Sequence, residues 1–177
     1  LRLTNVYGPR MAVNIPCQGF LSTFLRLVLT GNGLEVFGDG KQLRDPVFVD
    51  DAVQAFLLAG AASAFDERTY NVGGPQALSL HQIAEACAEA AGGLTVKLRS
   101  FPADRAVIDI GSFSTDTTAF WKRFGWKPGV TFAEGLQSTI AYYRSELPHY
   151  LDPANPQAFC VLPEHKGVQH RLRYAAV

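Results

Sequence analysis

The chain has 177 residues, 47% of them hydrophobic, enough for one domain or a little more around a true apolar core. Its 16 basic and 16 acidic residues cancel, and a pI near 7.1 leaves no charge excess to draw nucleic acid or an anionic membrane surface. The cysteines Cys17, Cys87 and Cys160 follow no metal or redox spacing and no apolar run is long enough to span a bilayer, so a soluble protein of the reducing cytoplasm is the default expectation.

Residues 1–4 read as a short buried strand. Asn5, Tyr7, Gly8 and Pro9 follow as a loop leaving a strand end, the place where α/β proteins bind ligands. Residues 10–18 carry no period. Phe20, Phe24, Leu27 and Val28 then recur at helical spacing until Gly31, with Phe20 and Phe24 expected as core contacts rather than a stack for a ligand. The next strand covers residues 34–37, and Phe37 at its end can either pack inward or lie flat against an aromatic ligand.

Gly38-Asp39-Gly40 is a turn, because glycine accepts positive φ and an aspartate can bond the backbone two residues on. Residues 47–49 read as a strand, and Asp50 and Asp51 as N-cap and first-turn acid of a helix over 52–62. Arg44 stands between turn and strand. Its planar fork of donors suits paired phosphate or carboxylate oxygens, which makes an anion site one reading; a surface pair with Asp45 or another nearby acid is the other.

A strand over 69–72 stops at Gly73-Gly74-Pro75, and Ser79 with Gln82 forms a capping box for an alanine-rich helix reaching about residue 91. Residues 95–101 alternate like a half-exposed strand. A short helix is expected over 116–124, and Thr131 with Glu134 opens a last helix that runs to about residue 146, before Pro148. Strands alternating with helices argue for α/β. From residue 149 onward Pro153, Pro156 and Pro163 interrupt any period, so 149–177 is expected to be a loosely packed or disordered tail after a folded unit over 1–148. His165 and His170 in that tail have no acid or cysteine at ligand spacing, and no metal site is expected.

No glycine-rich strand-turn-helix fingerprint is visible, since Gly31-Asn32-Gly33 and Gly38-Asp39-Gly40 precede strands rather than helices. Gly-x-Ser-x-Gly and His-Glu-x-x-His are absent as well. Physical reading alone stops at an α/β domain with a candidate anion-binding arginine.

The ordered set Leu1-Arg-Leu-Thr-Asn-Val-Tyr-Gly-Pro-Arg10, Gly38-Asp-Gly-Lys-Gln-Leu-Arg-Asp45, Val49-Asp-Asp51 and Tyr70-Asn-Val-Gly-Gly74 resembles the C-terminal half of the extended short-chain dehydrogenases. Ile108-Asp-Ile-Gly111, Phe124-Gly-Trp-Lys-Pro128 and Tyr142-Tyr-Arg144 extend the likeness to the family's closing segment. These are NAD-dependent nucleotide-sugar epimerases and dehydratases. The resemblance implies the last strands of a Rossmann-type parallel sheet plus a small C-terminal α/β substrate-binding domain. It implies that Thr4 passes the nicotinamide, that Asn5 and Arg44 hold the diphosphate of a nucleotide sugar, and that Phe37 covers the base. Many members carry a second phosphate arginine where this chain has Ala106; Arg105, one step earlier, is the candidate in its place. Phe113 sits where some members have a tyrosine.

The family's catalytic tyrosine and lysine, four residues apart, have no counterpart here, and neither Tyr7 nor Tyr70 has a lysine at that spacing. No catalytic residue is therefore assigned. The chain opens at Leu1 without methionine or a signal-like segment, and is read as a piece of a longer protein that captures substrate, is inactive alone and does not bind NAD alone. A homodimer is implied for the intact protein only. Alternatives are a reductase or decarboxylase of the same family and a binding module without turnover. Two further expectations follow. Strands near Leu1 and Thr69 should lack neighbours, leaving apolar surface uncovered, and loss of Arg44 from the intact enzyme should weaken diphosphate binding with a much smaller change in stability.

Overall fold

A computed structural model describes residues 1–15, 19–65, 67–101 and 110–151. Arg105 and residues 152–177, most of the expected tail, lie outside the described residues. In chain order the elements are β1 (Arg2–Leu3), β2 (Val6–Tyr7), α1 (Phe20–Leu29), β3 (Leu34–Phe37), β4 (Leu43–Arg44), β5 (Val47–Phe48) and α2 (Val49–Gly60). They continue with β6 (Asn71–Val72), β7 (Leu78–Ser79), α3 (Leu80–Ala90), β8 (Val96–Arg99), α4 (Thr118–Phe124) and α5 (Phe132–Glu146), with a 3-10 turn at Leu147–His149.

Pairing is mostly parallel. β1 lies beside β6, β2 beside β5 and β3 beside β8 in parallel, while β4 and β7 run antiparallel. Parallel neighbours need a crossover between them, and α2 supplies part of the one that separates β1 from β6. The strands near Leu1 and Thr69, expected without neighbours, are thus each other's neighbour, with Leu3 opposite Val72.

The helices follow their sequence signals closely. α3 and α5 both open with complete capping boxes, Ser79 with Gln82 and Thr131 with Glu134, so two otherwise orphaned amides at each N-terminus are satisfied. α1 buries Leu21, Phe24, Leu25 and Val28 along one stripe. Each such side chain contributes roughly 1.5–3 kcal/mol on leaving water. Phe20 packs at the margin of this core and Phe24 within it, as expected.

Two apolar clusters result. The larger joins α1, α3 and α5 with β2 and β3 through Leu25, Ile83, Cys87, Leu136 and Tyr143. The smaller gathers Val47, Ala55, Tyr70, Val72, Phe120 and Trp126, and so fixes α2 and α4 on one face of β5 and β6. Tyr7 ties β2 to α5: its ring is buried and its hydroxyl donates to the Phe132 carbonyl at 3.2 Å. Burial pushes the Tyr7 pKa well above the usual phenol range. Gly135 lets the two elements meet this closely, since a Cβ there would collide with the Tyr7 hydroxyl and lie 2.7 Å from Phe48 Cδ2.

Three expectations are corrected. The first strand is not buried, because Leu1 and Leu3 are 37% and 38% exposed; β1 is an edge with β6 on one side alone among the described strands. α2 starts at Val49 with Phe48 as N-cap, so Asp50 is not the cap. Asp51 instead turns its buried carboxylate to the loop before α5, accepting the amides of Gly129 and Val130 at 3.0 Å each. A short-range cap is given up for a tertiary tie. The short helix begins at Thr118 rather than at residue 116, with Asp116 Oδ1 accepting from the Thr118 amide at 2.8 Å.

Candidate functional site

The loop leaving β1 opens a cleft of about 300 Å³. Thr4, Asn5 and Met11 line one wall, and Gly19, Leu21 and Ser22 of the α1 start line the other. Asn5 is exposed, while its carbonyl accepts the Val47 amide at 3.1 Å and holds the backbone in place. The N-cap of α1 is Gly19, which has no side chain to cap with, and no acid lies in the first turn of the helix. The positive end of a helix dipole therefore faces the same space as the Asn5 amide, an arrangement suited to an anionic oxygen.

Thr4 is anchored from behind. Its hydroxyl donates to the Asp45 carbonyl at 2.7 Å, and the same carbonyl accepts the Gly74 amide at 3.0 Å. The Asp45 side chain is 3% exposed and accepts the Thr115 amide at 2.9 Å. Burial raises its carboxyl pKa above the ordinary value, more than the Thr115 bonds lower it. Gly73 and Gly74 permit this junction: a Cβ on Gly73 would sit 2.5 Å from Asp45 Oδ2, and one on Gly74 would sit 2.7 Å from the Pro46 carbonyl carbon.

Arg44 is buried on the neighbouring strand. Its Nη1 donates to the Leu43 carbonyl at 2.7 Å and to the Gly111 carbonyl at 2.5 Å. Ser112, Phe113 and Thr115 carry the attachment onward, because Leu43 donates to Ser112 Oγ and accepts from the Phe113 amide. Residues 111–115 are thus strapped along β4. The Arg44 guanidinium is thus buried and tied to a carbonyl 67 positions away in sequence.

Phe37 ends β3 half-buried, its ring 6.0 Å from that of Phe101 and tilted by 39°. Thr4 and Asn5 are thus brought together in the cleft, whereas Phe37 and Arg44 are not among its lining residues. A second cavity of about 520 Å³, lined by Glu67, Tyr70, Ala119, Lys122 and Arg123, contains none of the sequence-predicted residues. The start of α1 and the Asp45–Thr115 pair were not foreseen. For the former, a glycine at a helix entry is the signal that sequence offered; for the latter, partners 70 residues apart left none. Among the described residues no group of His, Cys, Asp and Glu could hold a metal, and no helix is long and apolar enough to cross a membrane.

Comparison with known proteins bears on the strand and loop that carry Thr4 and Asn5. Residues 1–73 match the model of the NAD dependent epimerase/dehydratase family. The chain is a partial homologue of this NAD-dependent family. UDP-glucose 4-epimerase of Mycolicibacterium smegmatis is 34% identical over 142 residues, which cover 80% of this chain and 44% of the relative. A dTDP-glucose 4,6-dehydratase of an Actinoplanes strain is 31% identical over 144 residues, covering 81% and 43%. Among solved structures, UDP-glucose 4-epimerase from Thermotoga maritima with UDP-glucose superposes with a TM-score of 0.66 at 32% identity, over 82% of this chain and 45% of that one. The α/β Rossmann-type class is therefore established, and the chain spans less than half the length of the epimerase/dehydratase relatives it matches.

Proposed function

We propose that this chain is the nucleotide-sugar-binding part of an NAD-dependent epimerase or dehydratase, with the folded unit at 1–148 holding the substrate. The observation that carries the reading is the cleft lined by Asn5 on one side and by the start of α1 on the other. A diphosphate needs fixed amide and cationic donors around it, and the cleft offers the first kind in Asn5 and the α1 start. Asn5 would donate to the diphosphate and Arg44 would supply charge next to it. Phe37 offers the base a flat apolar surface, and Arg105 is a further candidate for the diphosphate.

Gly33 and Gly40 do not form the glycine-rich strand-turn-helix that holds the pyrophosphate of NAD, because they lead into β3 and β4 rather than into helices. Thr4 would border the nicotinamide of a bound NAD and contribute only that edge. NAD supplies the family's hydride transfer; the residues of this chain bind and orient the sugar nucleotide. A decarboxylase or reductase on the same scaffold, or a binding module without turnover, would use the cleft in the same way.

Calorimetric titration of the 177-residue chain with UDP-glucose and, separately, with NAD tests the reading. UDP-glucose binding that weakens about tenfold in Asn5→Ala, with NAD giving no heat, is the expected result. Equal affinity in the wild type and in Asn5→Ala would place the sugar nucleotide elsewhere, and stoichiometric NAD binding would show that a cofactor cradle had been overlooked.

A further inference from the structure

We propose that Tyr143 of α5 is a positioning residue for the cleft: it fastens the segment 8–13, whose Met11 and Ala12 form part of the cleft wall, and so holds that wall in shape for the ligand. The identity of the ligand as a sugar nucleotide rests on the proposed function. The fastening rests on the geometry alone.

The stretch from Tyr7 to Met11 is tied to α5 at both ends by an exchange of hydroxyl bonds. Tyr7 donates to the Phe132 carbonyl at 3.2 Å, and Tyr143, about three turns further along the helix, donates to the Met11 carbonyl. Tyr143 is fully buried, and burial pushes its phenol well above the usual range, so the hydroxyl keeps its proton and stays a donor at neutral pH. The Met11 carbonyl also accepts the Val13 amide at 2.8 Å, which engages both of its lone pairs. Val13 itself is 1% exposed and belongs to the larger apolar cluster, so the segment is pinned again just past the bond.

Between these ties the backbone takes a costly path. Arg10 has φ of 66°, the single non-glycine residue with positive φ among the described residues. It is exposed, so its conformation is set by the chain on either side. A left-handed residue of this kind persists only where its surroundings over-determine it. On one side the Met11 amide returns to the Gly8 carbonyl at 3.3 Å, and Gly8 lies so close to α2 that a Cβ there would sit 2.5 Å from Val49 Cγ1. On the other side stand Val13 and the Tyr143 hydroxyl.

Met11 lies between the apolar core and the cleft, so a shift of this segment is a shift of the cleft wall. An unfastened wall would have to be ordered by the ligand, and that cost lowers affinity. The next residue along α5 supplies the contrast. The Tyr142 hydroxyl meets that of Tyr150 at 3.0 Å, which ties the helix to the end of the 3-10 turn and not to the cleft wall.

Tyr143→Phe and Tyr142→Phe, made separately in the 177-residue chain, test this. Each removes one hydroxyl and keeps its ring, so both should fold, with similar small losses of melting temperature. Hydrogen exchange should quicken at the Met11 and Val13 amides in Tyr143→Phe and keep the wild-type rate there in Tyr142→Phe. UDP-glucose affinity, read by calorimetric titration, should fall about five- to tenfold in Tyr143→Phe alone. Unchanged exchange at the two amides overturns the proposal, because the bond then fastens nothing. Faster exchange with affinity unchanged, or lowered equally in the two variants, also overturns it and leaves Tyr143 as a strut of the fold. A wild type that does not bind UDP-glucose removes the proposed function instead, and the exchange pattern still decides whether Tyr143 holds the wall.

Discussion

Arg44 and Gly111 are joined across 67 positions of sequence, with the arginine Nη1 donating to the glycine carbonyl at 2.5 Å. The bond makes one residue answerable to two duties, holding the 111–115 strap and, on the proposed function, adding charge beside a diphosphate. Arg44→Ala should therefore lower unfolding free energy by roughly 1.5–3 kcal/mol, the range for hydrogen bonds of a charged group. UDP-glucose affinity should fall about ten- to a hundredfold at a temperature where the variant is still folded. Arg44→Lys should restore little of either, since a single ammonium does not reproduce the fork. Melting curves and titrations on the same preparations distinguish the duties, and lost stability with unchanged affinity would leave Arg44 as a strut alone.

Asp51 offers a cleaner test of tertiary wiring. Both of its carboxylate oxygens accept backbone amides, Oδ1 from Gly129 and Oδ2 from Val130. Asp51→Asn keeps one acceptor and should cost about 1–2 kcal/mol, whereas Asp51→Ala leaves two amides without their acceptor and should cost about 3 kcal/mol or more. Urea denaturation measures both. If the residue acted only through the helix dipole, Asn and Ala would be nearly equal and the loss would stay within about 1 kcal/mol.

Asp45 should give an unusual pH signature. Burial raises its folded-state pKa above the ordinary 3.8, so the folded protein holds the proton more tightly than the unfolded chain does. The group's favourable contribution is therefore complete below 3.8 and is lost as the pH rises through the higher folded value. Asp45→Asn keeps a carbonyl oxygen for the Thr115 amide and carries no charge. Its melting temperature should exceed that of the wild type at pH 7, and the gap should close on acidification below about pH 4. A gap that widens toward acid would mean that the ionised form is the stabilising one, contrary to the burial of this side chain.

Local chemistry made much of the fold legible. Ser79 with Gln82 and Thr131 with Glu134 announced two helices, because a capping box is complete within four residues. The Phe37-to-Gly38 boundary was readable for the same reason, since Gly38 and Gly40 adopt φ of 74° and 68° in the turn. Partners far along the chain were not legible. Asp51 read as a first-turn acid of the helix, and nothing nearby in sequence reveals Gly129 and Val130 as its partners. Leu43 and Arg44 pair with Ser79 and Leu78 in an antiparallel ladder too short to leave an alternating pattern. Within the site, Thr4 and Asn5 could be placed at a strand end, while the wall opposite them comes from α1, whose entry follows a stretch with no period.

The meeting of Tyr7 with Gly135 constrains how this protein can diverge. Position 135 has no room for a methyl group while a tyrosine hydroxyl and the Phe48 ring occupy the space. Alanine at 135 should therefore be tolerated only alongside smaller residues at positions 7 and 48, and chains that drift at one of these sites should drift at the others. Because Tyr7 lies on β2 two residues after Asn5 of the cleft, such concerted drift would carry altered ligand preference with it, turning a remote helix into a record of what the cleft has been selected to hold.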